Sequence, residues 1–461
     1  MNQINSLKNN FTKLFLILSF ISCWISISTN TIDIYKIIYI LNFNFSHADT
    51  DMTKIYPTVN EIINCLRQLP MFIIFPILLI FNFIKAGIEK TRYIFPLLSL
   101  FFYFSFQLPG LILTDNSLFN IGYIISALNI LLILNLSYQL LNEKSFKIFF
   151  FVTLFFLLLI NLVNIEVYLY FFKMKANTLY TYFDLSSDVF FGKSSPRSTG
   201  TARSLLLIYL ISILIFKDFF NNFKKLNYFF YVAISTLVLL FQSRTVIVLL
   251  LVFILFNFFY LKKKNIFKYI IYYIIVPFIS LYSFVIFQDQ INKNIINKNI
   301  SIINKDIKDT SFLEDLEESG KKFKRPIDPY TYSSGRYDDW KNLISKTNKS
   351  FYFGFGSQAD RFLINQTASN GLIYAYSSSG IIGLLFYCIF ILSCLFKIFE
   401  NLILRFRQSA DEKKMISIII LILILRSILE SSFAVFSIDL IILITLYINL
   451  MKKDKLVKYG I

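Results

Sequence analysis

Histidine is almost absent from this chain, and charged residues are scarce. The one histidine, His47, lies in a polar segment, where a solvated side chain is a simpler interpretation than a catalytic or metal-binding one. Charged residues form 16% of the 461 residues, whereas soluble proteins contain roughly a quarter. This shortage excludes an ordinary soluble globular protein.

Cysteines are also few, and they form no motif. Cys23, Cys65, Cys388 and Cys394 show neither metal-ligand spacing nor a disulfide framework, and three of them lie in apolar runs. No P-loop, zinc-site or nucleophile-elbow pattern occurs. We therefore predict no metal and no cofactor.

Acidic residues are outnumbered, with 28 against 46 basic residues and a formal net charge of +18. In a soluble chain such an excess suggests nucleic acid as a partner. Here the basic residues are concentrated in alternate short loops, as the positive-inside rule predicts for cytoplasmic loops. We therefore expect the chain to lie in a membrane and not to bind nucleic acid.

Apolar sequence is what the chain has in abundance. Hydrophobic residues form 56% of it, and several runs exceed the roughly 18 residues that mark a membrane-spanning helix. The pattern predicts an all-α polytopic membrane protein with about twelve transmembrane helices and both termini in the cytoplasm. We expect spans one to nine in residues 1–287, an extracytoplasmic loop in residues 288–371, and spans ten to twelve with a basic cytoplasmic tail in residues 372–461.

The long loop contains one amphipathic segment. Four apolar side chains recur at helical spacing, which predicts a short helix lying on the membrane face; they are Tyr337, Trp340, Leu343 and Ile344. Ser333 or Ser334 can cap its N-terminus. Asp338 and Asp339 fall in its first turn, where the helix dipole favours acidic residues.

Arginine departs from the positive-inside pattern. Of the 11 arginines, only three fall in predicted cytoplasmic loops: Arg92, Arg405 and Arg407. The other eight lie at or toward the outer face and are Arg67, Arg197, Arg203, Arg244, Arg325, Arg336, Arg361 and Arg426. We expect solvated loop positions for Arg67, Arg325 and Arg361. The remaining five matter because the planar arginine fork binds phosphate or carboxylate through two hydrogen bonds.

Arg426 is the costliest of these residues. It lies within the eleventh predicted span, where a charge costs about 2.5–3.5 kcal/mol on insertion scales. Its expected partner is Glu430, one helical turn later on the same face. The pair can merely neutralise itself for insertion. Alternatively, the outer arginines hold an anionic substrate, such as a lipid-linked diphosphate, at the membrane surface.

The order of these features resembles the O-antigen polymerase and ligase superfamily. The resemblance extends from Arg197 to Glu430, roughly half of the chain, and its individual motifs are short. Its motifs are Arg197 with Gly200, Ser243-Arg244-Thr245, Ser334-Gly335-Arg336, Trp340, Gly354-x-Gly356, Asn370-Gly371, Ser379-Gly380-Ile381-Ile382-Gly383, and Arg426 with Glu430.

The resemblance implies a metal-independent, multispan glycosyltransferase of the GT-C type. It would act on undecaprenyl-diphosphate-linked glycans at the outer face of the bacterial inner membrane, in lipopolysaccharide or exopolysaccharide synthesis. The ligase branch typically has a histidine directly before the asparagine at position 370, and this chain has Ser369 instead. The departure favours a polymerase, with a chain-length regulator protein as a candidate partner.

Two alternatives stay open: the ligase, and a flippase or other transporter of lipid-linked oligosaccharides. A transporter would show related halves and polar or broken helices near the membrane midplane, and the sequence shows neither.

The resemblance and the arginine pattern together give a set of site residues. We predict catalytic roles for Arg244, Arg336, Arg426 and Glu430. We predict substrate binding by Arg197, Gly200, Arg203, Gly335, Asp339, Trp340, Gly354, Gly356 and Asn370. The general base stays open, with Asp338 and Asp339 as candidates by position and an arginine-only mechanism as the alternative.

Overall fold

The computed structural model describes residues 2–31, 57–89, 94–113, 117–141, 143–174, 199–241, 243–260, 270–283, 336–404 and 411–451. Every regular element within these ranges is helical. The helices are α1 Asn2–Thr31, α2 Pro57–Glu89, α3 Phe95–Ser105, α4 Ser117–Leu140, α5 Glu143–Met174, α6 Thr199–Ile215, α7 Lys217–Asn222, α8 Lys224–Leu240, α9 Arg244–Tyr260, α10 Ile271–Ser283, α11 Arg336–Thr347, α12 Ala359–Ile364, α13 Gly371–Phe399, α14 Asp411–Leu429 and α15 Ile438–Met451.

Many of these helices have the length and composition of membrane spans. Within the described ranges, five apolar stretches are long enough to cross a bilayer: Asn10–Ser28, Leu66–Ile84, Phe95–Leu113, Asn120–Leu140 and Gly371–Leu404. Shorter apolar helices accompany them, and large apolar side chains such as Phe83 and Phe396 face outward. The prediction of an all-α membrane protein is confirmed, whereas the twelve-span count stays a prediction.

Helices α2 and α4 pack against each other through neutral polar groups. The amide of Asn135 donates to Asn82 Oδ1 over 2.9 Å, and the amide of Asn129 donates to the Met71 carbonyl over 2.7 Å. Asn82 in turn donates to the Leu132 carbonyl at 3.3 Å. Such interhelical bonds hold membrane helices together where the hydrophobic effect contributes little. We call these three asparagines the amide ladder.

Arg67 is where the loop prediction was wrong. A solvated loop was expected, but α2 begins at Pro57 and includes Arg67, whose side chain is buried beside Tyr123 of α4. The sequence pattern placed the helix start too late because the segment before Leu69 is polar. Arg361, by contrast, is exposed on α12 as expected, and Arg325 lies outside the described residues.

Helix α13 is broken at Gly380, which corrects the expectation of unbroken helices. Gly380 has φ 62° and ψ −164°, a conformation that is essentially restricted to glycine. The turn at 351–356 enters this break and uses the freed backbone groups. Phe355 N donates to the Ser377 carbonyl at 2.9 Å, and Ile381 N donates to the Phe351 carbonyl at 2.9 Å. The break is therefore filled by protein backbone.

Glycines allow the turn at 351–356 to approach the break in α13 this closely. A Cβ on Gly354, which has φ 66°, would lie 2.6 Å from the Ser377 carbonyl oxygen, and a Cβ on Gly380 would overlap the Tyr352 carbonyl. From the other side, Tyr103 of α3 donates to the Ala434 carbonyl at 2.7 Å. The break, α3 and the turn before α15 thus form one packed unit.

One end of the bundle collects several helix termini. Asn370, at the start of α13, contacts Ile428 near the end of α14. Arg203, in the first turns of α6, forms an ion pair with Asp439 at the start of α15. Helix α9, which begins at Arg244, packs against both α6 and α14. The polar groups of this end form the candidate site.

Candidate active site

Four charged side chains meet at this end of the bundle, and they come from α6, from α14 with the residue that follows it, and from α15. Arg426 forms ion pairs with Glu430 and with Asp439, and Arg203 Nε lies 3.8 Å from Asp439 Oδ1. Glu430 also attracts Arg203 electrostatically. We call Arg203, Arg426, Glu430 and Asp439 the charged cluster. The predicted pairing of Arg426 with Glu430 is confirmed.

Asp439 is the centre of the cluster. Its Oδ2 accepts a hydrogen bond from the Ser432 hydroxyl at 2.6 Å and faces Arg426, while its Oδ1 faces Arg203. The local fold fixes this arrangement. Helix α14 ends at Leu429, a tight turn follows, and the Ser437 hydroxyl donates to the Ser432 carbonyl at 2.8 Å just before α15 begins.

The cluster has a deep side and a shallow side. The exposed fraction of the side chain is 0% for Asp439 and 4% for Arg426, but 18% for Arg203 and 21% for Glu430. The buried Nε atoms of Arg203 and Arg426 have no hydrogen-bond partner among the described residues. The partly exposed Arg203 and Glu430 form the edge of the cluster that an arriving anion can reach, and a guanidinium at that edge suits the binding of an anion.

Two more predicted residues anchor on the end of α14. Arg336 Nη1 donates to the Leu429 carbonyl at 3.3 Å, which brings a third guanidinium beside the cluster. Asn370 Nδ2 donates to the Ile428 carbonyl at 3.0 Å, while its Oδ1 caps α13 by accepting from Leu372 N at 2.9 Å. Asn370 therefore locks the start of α13 to the end of α14.

A clamp around Ala368 positions this asparagine. The indole of Trp340 donates to the Ala368 carbonyl at 2.6 Å, and Asp360 Oδ2 accepts from Ala368 N at 2.8 Å. Ser369 then adopts φ 50°, which is strained for a residue other than glycine. Burial raises the pKa of the Asp360 carboxyl, and hydrogen bonds from Ala368 N and Arg361 N oppose that rise.

The structure brings together part of the predicted set. Arg203, Arg336, Arg426, Glu430 and Asn370 converge at one end of the bundle. Other members lie nearby or have packing roles. Trp340 belongs to the clamp, and Asp339 is half-buried on α11. Gly354 and Gly356 belong to the turn in the α13 break, and Gly200 is exposed, with open space where a Cβ would lie.

Three predicted residues cannot be placed in the site. The side chain of Arg244 lies outside the parts that the structure describes, although the backbone of Arg244 begins α9. Arg197 and Gly335 also lie outside the described residues. Their roles stay predictions.

Asp439 and Asp360 are site residues that the sequence interpretation missed. Asp439 had a usable signal, because it is the one charged residue in the last predicted span, Ala434 to Leu450, and an intramembrane charge indicates function. Asp360 had none, since an acid in a polar loop is ordinary. Among the described residues, no group of three or more His, Cys, Asp and Glu is placed to hold a metal ion.

Residues 229–388, from α8 through the broken part of α13, match the family model Wzy_C, described as O-antigen ligase. This match supports the resemblance to the O-antigen polymerase and ligase superfamily. No match was found among curated proteins or among solved structures. Together with the apolar helices, the match supports an integral membrane enzyme of the glycosyltransferase or ligase type. The matched segment contains Arg336 and Asn370, whereas Arg203, Arg426, Glu430 and Asp439 lie beyond it.

Proposed function

We propose that the protein is a polymerase of O-antigen or exopolysaccharide repeat units. It would transfer a glycan from undecaprenyl diphosphate to the next lipid-linked repeat at the outer face of the bacterial inner membrane. The observation that carries this proposal is the convergence of Arg203, Arg336 and Arg426 on one end of the bundle. Guanidinium groups held there can bind the diphosphate of a lipid-linked glycan while its lipid tail stays in the hydrocarbon of the membrane.

The arginines would act on the leaving group. In the reaction, the acceptor hydroxyl oxygen bonds to the anomeric carbon, and the bond from that carbon to the diphosphate oxygen breaks. Negative charge develops on the departing diphosphate, where preorganised donors lower the barrier. The hydroxyl proton can pass to the released diphosphate, so the mechanism requires no metal and no protein base. Asp338 and Asp339 on α11 are alternative proton acceptors.

The identity of residue 369 supports a polymerase over a ligase. Ser369 stands in the strained position directly before Asn370, and its hydroxyl lies 3.4 Å from the Thr367 carbonyl oxygen. A serine hydroxyl cannot supply the basic nitrogen that the ligase branch typically has there. The ligase is the second candidate, because the matching family model is described by that activity.

The break in α13 gives no support to a transporter. Broken helices in transporters present free backbone groups to a substrate or ion. Here the freed carbonyls of Ser377 and Ser378 accept hydrogen bonds from Phe355 N and Gly356 N. The break therefore packs a turn of the protein instead of lining a path.

Deletion of the gene tests the proposal directly. Surface glycan carrying single repeats on a gel is the expected result for a polymerase. Complete loss of surface glycan, with long chains accumulating on the lipid carrier, would identify a ligase. Unchanged glycan length would exclude both enzymes. Complementation with the intact gene and with Arg426→Lys separates loss of chemistry from loss of protein.

A further inference from the structure

The two acids of the charged cluster hold Arg426 in different ways. Asp439 is fully buried and is also bonded to the Ser432 hydroxyl. The side chain of Glu430 is 21% exposed. Among the described residues, Arg426 is the one side chain that donates a hydrogen bond to it. Arg426 Nη1 faces the deep acid, and Nη2 faces the shallow one. One guanidinium therefore has an inner and an outer counter-ion.

The outer position is the one that an arriving anion can reach. A carboxylate and a phosphate are both held by the arginine fork through paired N–H donors, so they compete for the same edge. Arg203 is also partly exposed and interacts electrostatically with Glu430. Two arginines thus border the site that the Glu430 carboxylate occupies.

We propose that Glu430 is an exchangeable counter-ion, which occupies a phosphate position on Arg426 until the diphosphate of the substrate displaces it. Asp439 is the permanent counter-ion that holds Arg426 and Arg203 in place throughout. This inference rests on the proposed function, since it takes a lipid diphosphate as the ligand of the cluster.

Charge balance explains why both acids are present. With two arginines and two carboxylates, the cluster is neutral when no substrate is bound, which avoids leaving a buried guanidinium uncompensated. When Glu430 turns away, Asp439 still compensates one arginine, and one positive charge becomes available to the diphosphate. Because Arg426 is buried while Glu430 is partly exposed, the outer acid can move into solvent only as the diphosphate takes its place on the guanidinium.

The test measures binding of farnesyl diphosphate to the full-length protein in lipid nanodiscs, by calorimetric titration. Removing the exchangeable acid should strengthen binding, so Glu430→Gln and Glu430→Ala should lower Kd by about three- to tenfold. Removing the permanent acid should weaken binding, and Asp439→Asn should raise Kd by about tenfold or more. Glu412→Gln, an exposed acid near the other end of α14, is the matched control and should leave Kd unchanged.

The outcomes separate this inference from the proposed function. If wild type binds farnesyl diphosphate but both Glu430 variants bind it equally or more weakly, the exchange is refuted and the proposed function stands. If wild type does not bind it at all, both are refuted. Thermal unfolding of each variant in nanodiscs checks that a weaker Asp439→Asn complex does not reflect unfolded protein.

Discussion

The amide ladder and the charged cluster both bury polar groups between helices, but they do so with different chemistry. In the ladder, Asn82, Asn129 and Asn135 are neutral and donate to carbonyl oxygens of the neighbouring helix. Among the described residues the ladder leaves the acceptor oxygens of Asn129 and Asn135 unpaired, whereas the cluster joins charged groups and leaves a donor, the N–H of Arg426 Nε, unpaired. Neutral amides are sufficient to join two helices. Joining helices therefore does not explain why the cluster contains charged residues.

From this difference we expect substitutions in the two regions to affect stability and activity differently. A neutral amide that only joins helices should affect stability slightly and activity hardly at all. A charged group in a cluster that reaches a solvent-accessible edge should affect activity far more than stability, provided that a conservative variant keeps the protein folded.

The largest effect is expected for Arg426→Lys. Lysine keeps the positive charge but loses the planar fork that faces Glu430 and Asp439 at once. We expect polymerisation to fall by about 100-fold or more, the range seen when one preorganised donor to developing charge is removed. Glycan length on a gel and the amount of inserted protein in the membrane are measured together. Full activity with normal insertion would contradict the proposal that the Arg426 guanidinium binds the diphosphate through two hydrogen bonds.

Gly380→Ala tests the packed unit beside the cluster. An added Cβ would overlap the Tyr352 carbonyl, and φ 62° with ψ −164° is unfavourable for alanine. We expect a loss of about 1–3 kcal/mol in stability from the backbone conformation alone, read as a lower midpoint of thermal unfolding in detergent. Gly200→Ala is the control, because open space surrounds that position. Equal midpoints for Gly380→Ala and wild type would show that the turn is not locked into the break.

Arg336→Gln should have an intermediate effect, and this effect should appear as weaker substrate binding. Its guanidinium is half-exposed and donates to the Leu429 carbonyl, so it borders the cluster without being buried in it. We expect KM for the lipid-linked repeat to rise by about tenfold, as for loss of one charge-assisted hydrogen bond. Steady-state assays in nanodiscs give KM, and Lys341→Gln on the exposed face of α11 is the control. An unchanged KM would place Arg336 outside the substrate site.

Asn135→Leu should have the smallest effect. It removes the 2.9 Å bond to Asn82, and interhelical hydrogen bonds in membrane proteins are worth about 0.6 kcal/mol on average. We expect a slightly lower unfolding midpoint and full polymerisation activity. A large loss of activity without loss of protein would break the distinction between the ladder and the cluster.

The sequence predicted those parts of the site that depend on local spacing. Apolar residues at helical spacing predicted α11, which runs from Arg336 to Thr347. The four-residue separation predicted the pair of Arg426 and Glu430, which the structure contains.

What escaped prediction depends on distant parts of the chain. The break at Gly380 exists because a turn some 25 residues earlier in the chain inserts its backbone there, and nothing near Gly380 reveals that partner. Arg67 was misplaced because its burial depends on α4, which packs against it from later in the chain.

The position of Asp439 at the start of the last described helix has a consequence for biosynthesis. Ribosomes add α6 with Arg203 and α14 with Arg426 before they add the carboxylate that holds both residues. A nascent chain that stopped before α15 would therefore carry guanidinium groups in the membrane without their inner acid. The charged cluster therefore forms only after α15 has been synthesised, and products truncated before α15 should be both inactive and recognisable to membrane proteases.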